Sequence, residues 1–240
     1  MCYHYSLNSD RGSLEKRYKA LLKQKQEQVK LPLFHTSGFS HPALPVITSE
    51  NPGEISFLHW GLIPFWVKDE ELAKKLASQT LNAKSETVFE KPSFRAAVVK
   101  RRCLVPATGF FEWMHFKEKK YPHLIRLKNT DIFSFGGIWE RWTNKETGEI
   151  RETFSIVTTP ANPLMEKIHN SKKRMPLILA TEDEKLWLDT TIPPAQTAKI
   201  MQPFPEDAME AYTISKRITS RSENPNTEET LKNFSYPELN

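Results

Sequence analysis

Only two cysteines, Cys2 and Cys103, stand in 240 residues. They supply neither a disulfide framework nor metal-ligand spacing, and they suit a reducing compartment. Glycine is scarce, at eight residues. None of the eight builds a phosphate-cradling loop or a nucleophile elbow, which excludes those two routes to nucleotide or hydrolase chemistry. No apolar run approaches the length of a membrane span, and the first residues lack the apolar core of a secretory signal. The seven histidines do not gather with acidic residues at ligand spacing, so no metal and no other cofactor is expected. No repeat and no low-complexity linker divides the chain.

What is present is aromatic and mildly basic. Fourteen Phe and six Trp are generous for a chain that is 38% apolar, and the formal net charge is +5. That charge permits a polyanionic partner without demanding one. The length suffices for one substantial core, and a single domain is expected.

The chemistry begins at Met1-Cys2. Removal of the initiator Met would leave Cys2 with a free α-amine and a thiol on neighbouring carbons, a pair no internal cysteine offers. With reference pKa values of about 8 and 8.5, a useful minority of each is nucleophilic at neutral pH. An amine condenses with an aldehyde to a Schiff base, and an adjacent thiol can close on that carbon to a thiazolidine. The same groups can attack an acyl carbon. The bland reading is a chance Met-Cys start that frays.

Ser13 is a plausible N-cap, and apolar residues at helical spacing predict an amphipathic helix over Leu14–Val29. Short helices are predicted over Lys68–Leu81, within Phe94–Val99, over Asn162–Ile168 and from Thr181 to Trp187. The closely spaced strand-like runs between Leu104 and Thr159 predict an antiparallel sheet or barrel-like core, not repeated strand–helix units. A hairpin turn is expected over Thr143–Gly148. From Thr219 to Asn240 the chain turns polar, and disorder or surface draping is expected.

Three stretches carry possible chemistry. Trp60, Phe65 and Trp66 surround a bend at Pro64, either as a core corner or as a platform for an unstacked base. Glu112 sits inside the apolar run Gly109-Phe110-Phe111-Glu112-Trp113, on the same side as Phe110. A carboxylate there is paired with a nearby arginine, or has a raised pKa suited to a general acid, or lies on the exposed side of an edge strand. His169 immediately precedes a cationic run, Lys172-Lys173-Arg174.

Taken in order, Met1-Cys2, Trp60-Gly61-Leu62-Ile63-Pro64-Phe65-Trp66, Asn82-Ala83-Lys84-Ser85-Glu86, Arg101-Arg102-Cys103-Leu104-Val105-Pro106, Gly109–Trp113 and His169 before Arg174-Met175-Pro176 resemble the SOS-response-associated peptidase family, whose members are also described as abasic-site processing proteins. The resemblance implies an α+β fold, with one β-rich, barrel-like antiparallel domain over residues 2–218 flanked by helices, and a polar tail over 219–240. With no coiled coil or repeat to demand a dimer, and no signal or membrane span, a monomer of the cytoplasm is expected, associated with the nucleoid when on DNA and with no membrane or obligate protein partner. The implied partner is single-stranded DNA containing an abasic site, trapped covalently through Cys2, with lyase or autocatalytic peptidase activity as possible accompaniments. Cys2, Asn82, Glu112 and His169 match the family's catalytic positions. Trp60, Phe65, Trp66, Lys84, Arg95, Lys172 and Arg174 match or flank its DNA-contacting segments. Tyr3-His4 and Lys84 depart from the family's common Cys-Gly-Arg and Asn-Ala-Arg, which weakens two guanidinium contacts to phosphate. A sugar defect is read without base-edge contacts, so little sequence preference is expected. Two rival readings stand beside this one: an amidohydrolase with Cys2 as nucleophile, and a non-covalent single-strand binding groove.

Overall fold

The computed structural model describes residues 2–23, 30–220 and 222–239. The chain opens with strand β1 (His4–Leu7), helix α1 (Arg11–Tyr18) and the short β2 (Leu21–Leu22), followed by β3 (Leu33–Ser37), β4 (Ala43–Thr48) and β5 (Glu54–Trp60). Helix α2 (Glu70–Gln79), β6 (Asn82–Lys84) and α3 (Arg95–Lys100) lead into the long strands β7 (Arg102–Ala107), β8 (Gly109–Phe116), β9 (Lys119–Leu127), β10 (Phe133–Thr143) and β11 (Ile150–Pro160). Then come α4 (Pro163–Ile168), β12 (Arg174–Pro176), β13 (Ile178–Leu179), α5 (Thr181–Leu188), α6 (Pro194–Ile200) and β14 (Met209–Thr213).

Strands β11, β10, β7, β4 and β5 form a continuous sheet, and the pairing of β5 back onto β11 closes it into a five-stranded barrel. The sheet is mixed rather than purely antiparallel. The closing pair runs parallel, with Thr153 opposite His59 and Phe154 opposite Trp60, and β2 and β6 also join parallel to their neighbours. A barrel leaves few open edges, which a sequence rich in long apolar strands must otherwise protect. A second, antiparallel sheet in the order β14-β9-β8-β1-β3 packs alongside. The β10–β11 hairpin turns at Asn144, whose side-chain oxygen accepts from the Glu146 and Thr147 amides while Gly148 takes a positive φ of 72°.

The expected helix over Leu14–Val29 is shorter and differently capped. Asp10 is the N-cap, accepting from the Ser13 amide at 2.8 Å, and the helix stops at Tyr18 because Lys19 adopts a left-handed conformation with φ 51°. Leu21 and Leu22 then pair with Glu54 and Ile55 as a strand, so sheet hydrogen bonds override the helical spacing of the leucines. Residues 24–29 of that expectation lie outside the described residues.

The described residues after Thr219 lie across the second sheet. Asn226 accepts from the Phe34 and His35 amides at one edge, while Phe234 donates to Thr213 and the Tyr236 hydroxyl donates to Ile214 at the other. Leu231 packs on Phe111, Leu124, Ile214 and Ile218. No helix among the described residues is long and apolar enough to cross a membrane.

Candidate catalytic pocket

The antiparallel register of β1 and β8, with Tyr5 opposite Phe110, sets Tyr3 opposite Glu112 when continued two residues toward the N-terminus. Cys2, the residue before Tyr3, is completely buried and packs in the main core. A third element meets it there. Asn82, at the start of β6, donates its side-chain amide to the Cys2 carbonyl at 2.9 Å. The parallel pairing of Asn82 with Ile156 anchors that strand to the barrel. Trp60 fixes it from behind, donating its indole N–H to the Leu81 carbonyl at 2.8 Å.

Glu112 is 4% exposed. Burial raises its pKa from 4.5 to about 7. His169 ends α4, and its Nδ1 lies 2.8 Å from the Arg174 carbonyl, an acceptor only. Nδ1 therefore carries the proton and Nε2 is the accepting nitrogen. The same Nδ1 stands 3.6 Å from a Glu112 carboxylate oxygen. That separation would suit an ion pair, yet burial opposes both charges and lowers the His169 pKa to about 4. At neutral pH the imidazole is neutral and the carboxyl sits near its midpoint. Burial, and then the Glu112 carboxylate, hold the Cys2 thiol well above its ordinary pKa, so it is an S–H rather than a thiolate.

A cavity of about 410 Å³ opens onto this cluster, lined by Tyr3, His4, Glu112, Trp113, His169 and Lys172 among others. A larger one of about 590 Å³ lies around His41, Lys74 and Arg151. It contains none of the residues singled out for chemistry except Trp60, and its Arg151 is already paired with Glu70 and Glu149. No group of three or more His, Cys, Asp or Glu among the described residues could hold a metal ion.

The expected DNA-contacting residues divide into two sets. Phe65 and Trp66 are 55% and 41% exposed, and the Trp66 indole donates to the Pro92 carbonyl at 3.3 Å, just before the exposed Arg95. Lys84 and Lys172 are also exposed. Trp60, in contrast, is completely buried against Tyr5 and Phe154. It is the core corner, not a base platform. Arg174 is buried too and forms a two-pronged pair with Glu86, while one of its nitrogens also donates to the Thr158 carbonyl at 2.6 Å. It braces the pocket wall in place of gripping a strand. Arg102 is spent on the Trp187, Asp189 and Val98 carbonyls. Glu86, the brace for Arg174, was visible only as the last residue of an otherwise unexplained polar stretch.

The family model described as SOS response associated peptidase (SRAP) matches residues 1–221. This chain belongs to that family. Among its SRAP relatives, Abasic site processing protein YoqW of Bacillus subtilis (strain 168) is 39% identical over 209 residues, covering 82% of this chain and 90% of that protein. Abasic site processing protein HMCES of Gallus gallus is 29% identical over 167 residues, covering 61% of this chain and 48% of that protein. A crystal structure of a protein from Bacteroides thetaiotaomicron superposes with a TM-score of 0.92 at 40% identity, covering 98% of this chain and all of that one. The barrel with its second sheet is thus the SRAP architecture. His4 places Nδ1 3.0 Å from Nε2 of His35. Burial, joined at His4 by the neighbouring His35, lowers both pKa values to about 4.

Proposed function

We propose that this protein captures abasic sites in single-stranded DNA and links to them covalently through Cys2. The observation that carries the reading is the convergence of three elements on one residue: β1 presents Cys2, Asn82 holds its carbonyl, and the Glu112–His169 pair stands on the adjoining strand and helix end. Abasic-site processing in the names of the SRAP relatives supports the substrate.

The state of each group orders the steps. An abasic deoxyribose is mostly a closed hemiacetal. Glu112, near its midpoint at pH 7, moves a proton to open the ring and expose the C1′ aldehyde. The thiol is held protonated, so the Cys2 amine freed by loss of Met1 attacks first. The carbinolamine loses water with acid help from Glu112. The sulfur then adds to the iminium carbon, its proton passing to Glu112 or the accepting Nε2 of His169. One aldehyde, one amine and one thiol become a thiazolidine and one water. An intermediate Schiff base also permits weak strand scission. A thiol kept protonated is poorly suited to direct attack on an amide, which disfavours the peptidase reading.

The test is a denaturing gel of the protein with single-stranded DNA bearing one abasic site. Wild type is expected to give a shifted band that high salt does not reverse. Cys2→Ala should give none, and Glu112→Gln should approach completion at least tenfold more slowly. A shifted band of equal intensity from Cys2→Ala would overturn the proposal, as would peptide turnover by wild type that leaves such DNA unmodified.

A further inference from the structure

The rim of the catalytic cavity is held as firmly as its floor. Asn170 follows His169 and clamps its turn to strand β8, accepting from the His115 amide at 3.1 Å and donating to the His115 carbonyl at 2.8 Å. The Lys172 and Lys173 amides close the turn by donating to the His169 carbonyl at 3.2 and 2.8 Å. Lys172 thereby lines the cavity together with Lys120, which stands opposite His115 in the β8–β9 hairpin. Among the described residues, Lys119 pairs with Glu238 and Lys173 with Glu166, whereas the adjacent Lys120 and Lys172 have no carboxylate partner. Glu112 is the only acidic residue lining the cavity. One space therefore joins a buried carboxyl that moves protons to two unpaired cations at the solvent edge.

We propose that this cavity also captures free, short phosphorylated aldoses, the aldehyde reacting at Cys2 and the phosphate held by Lys120 and Lys172. The inference rests on the aminothiol chemistry proposed above but requires no DNA strand. Tyr3 directly follows Cys2 and lines the cavity, so the amine freed by loss of Met1 lies one residue from its wall. The volume of about 410 Å³ falls within the range of small-molecule sites. A phosphorylated aldose answers each feature the cavity offers. Its cyclic hemiacetal needs the proton transfer that Glu112 supplies. Its phosphate needs cations, and a lysine ammonium serves as a point charge without demanding one orientation. In the reaction the aldehyde carbon bonds to the Cys2 nitrogen and sulfur. Its oxygen leaves as water, with one hydrogen from the amine and one from the thiol, and no oxidant or reductant enters. An aldehyde and a phosphate also occur together at a lesion in a strand, so free sugar and lesion compete for the same Cys2.

The test follows adduct formation by intact-protein mass spectrometry. Full-length protein lacking Met1 is incubated with 2-deoxyribose 5-phosphate or with neutral 2-deoxyribose. A tripeptide beginning with cysteine gives the intrinsic ratio of the two rates. Wild type is expected to gain the mass of one sugar less one water, and Cys2→Ala to gain nothing. At low salt the rate ratio of phosphorylated to neutral sugar should exceed the tripeptide's by about tenfold, and added salt should shrink that excess. Replacing both cations, Lys120→Ala with Lys172→Ala, should return the ratio to the tripeptide's value. Both lysines are exposed, so the fold tolerates the change, and the neutral sugar is an internal control on the reacting groups. Prior incubation with the phosphorylated sugar should abolish the later crosslink to abasic DNA. A wild-type ratio equal to the tripeptide's, or an excess that survives in the double variant, would refute capture of the free sugar. A DNA crosslink from the same preparation would then leave the proposed function standing. A sugar adduct without any DNA crosslink would instead remove that function and keep the cavity's own activity.

Discussion

Glu112 and His169 show how two groups at 3.6 Å can stay largely uncharged when neither is solvated. The consequence for stability can be given a sign. Folding raises the Glu112 pKa from 4.5 to about 7, so between those values the folded chain binds more protons than the unfolded one. Its contribution is fully present below about pH 4.5 and is lost as pH rises through about 7, a penalty on the order of 3 kcal/mol. The buried histidines act in the opposite sense. His4, His35 and His169 fall from 6.5 to about 4 on folding and destabilise the protein as pH drops through that window. Glu112→Gln removes only the first effect. It should therefore raise the thermal midpoint relative to wild type at pH 8 and leave the difference small at pH 4.5, read by calorimetry at both values. A variant no more stable than wild type at pH 8 would mean that the carboxyl ionises without penalty. The lost catalyst and the gained stability would share one cause, a carboxyl kept where water cannot reach it.

Among the elements, β6 does the most for the pocket with the fewest residues. Three residues pair with β11, and the first of them reaches the Cys2 carbonyl. Its position depends on Trp60, whose indole donates to Leu81 immediately before the strand. Replacing Trp60 with Phe keeps most of the apolar volume but removes the shorter of the two hydrogen bonds to the Leu81 carbonyl, leaving that from the Ile156 amide at 3.2 Å. The expected cost is about 1–3 kcal/mol, read as a lower urea midpoint with an unchanged slope. Crosslinking should slow as well, although Trp60 touches no substrate, because Asn82 loses its backstop. If Trp60 were a base platform, the substitution would weaken DNA binding and spare stability; its complete burial points the other way. The Arg174–Glu86 pair is the matching brace on the opposite side, holding the segment whose carbonyl sets the His169 tautomer.

At the scale of the whole molecule, the segment after Thr219 is a belt over the second sheet, reaching β3 through Asn226 and β14 through Phe234 and Tyr236. That sheet carries both Cys2 and Glu112 toward the barrel. Ending the chain at Thr219 would uncover Phe111 and Leu124 and remove the buried Tyr236, a loss of about 3 kcal/mol by the area they cover. The truncated protein is expected to melt several degrees lower and to bind a hydrophobic dye below its midpoint. An unchanged melting temperature would show the belt to be ornamental to stability.

Much is legible in the sequence alone, for reasons local to the chain. The paired amine and thiol of a processed Cys2, the carboxyl embedded in Gly109–Trp113, and the long strands with their Asn144 turn follow from bonding and alternation over a few residues. The SRAP-like succession of motifs pointed to the architecture as a whole. Tertiary structure decided the rest, because burial and partner choice are properties of distance in space. It ended the first helix at Tyr18, closed the barrel with parallel pairs, hid Trp60 and spent Arg174 on Glu86. A tryptophan or an arginine reads the same in a sequence whether it faces water or a carbonyl. Only the neighbours that folding brings to it settle whether its hydrogen bonds are left for a ligand.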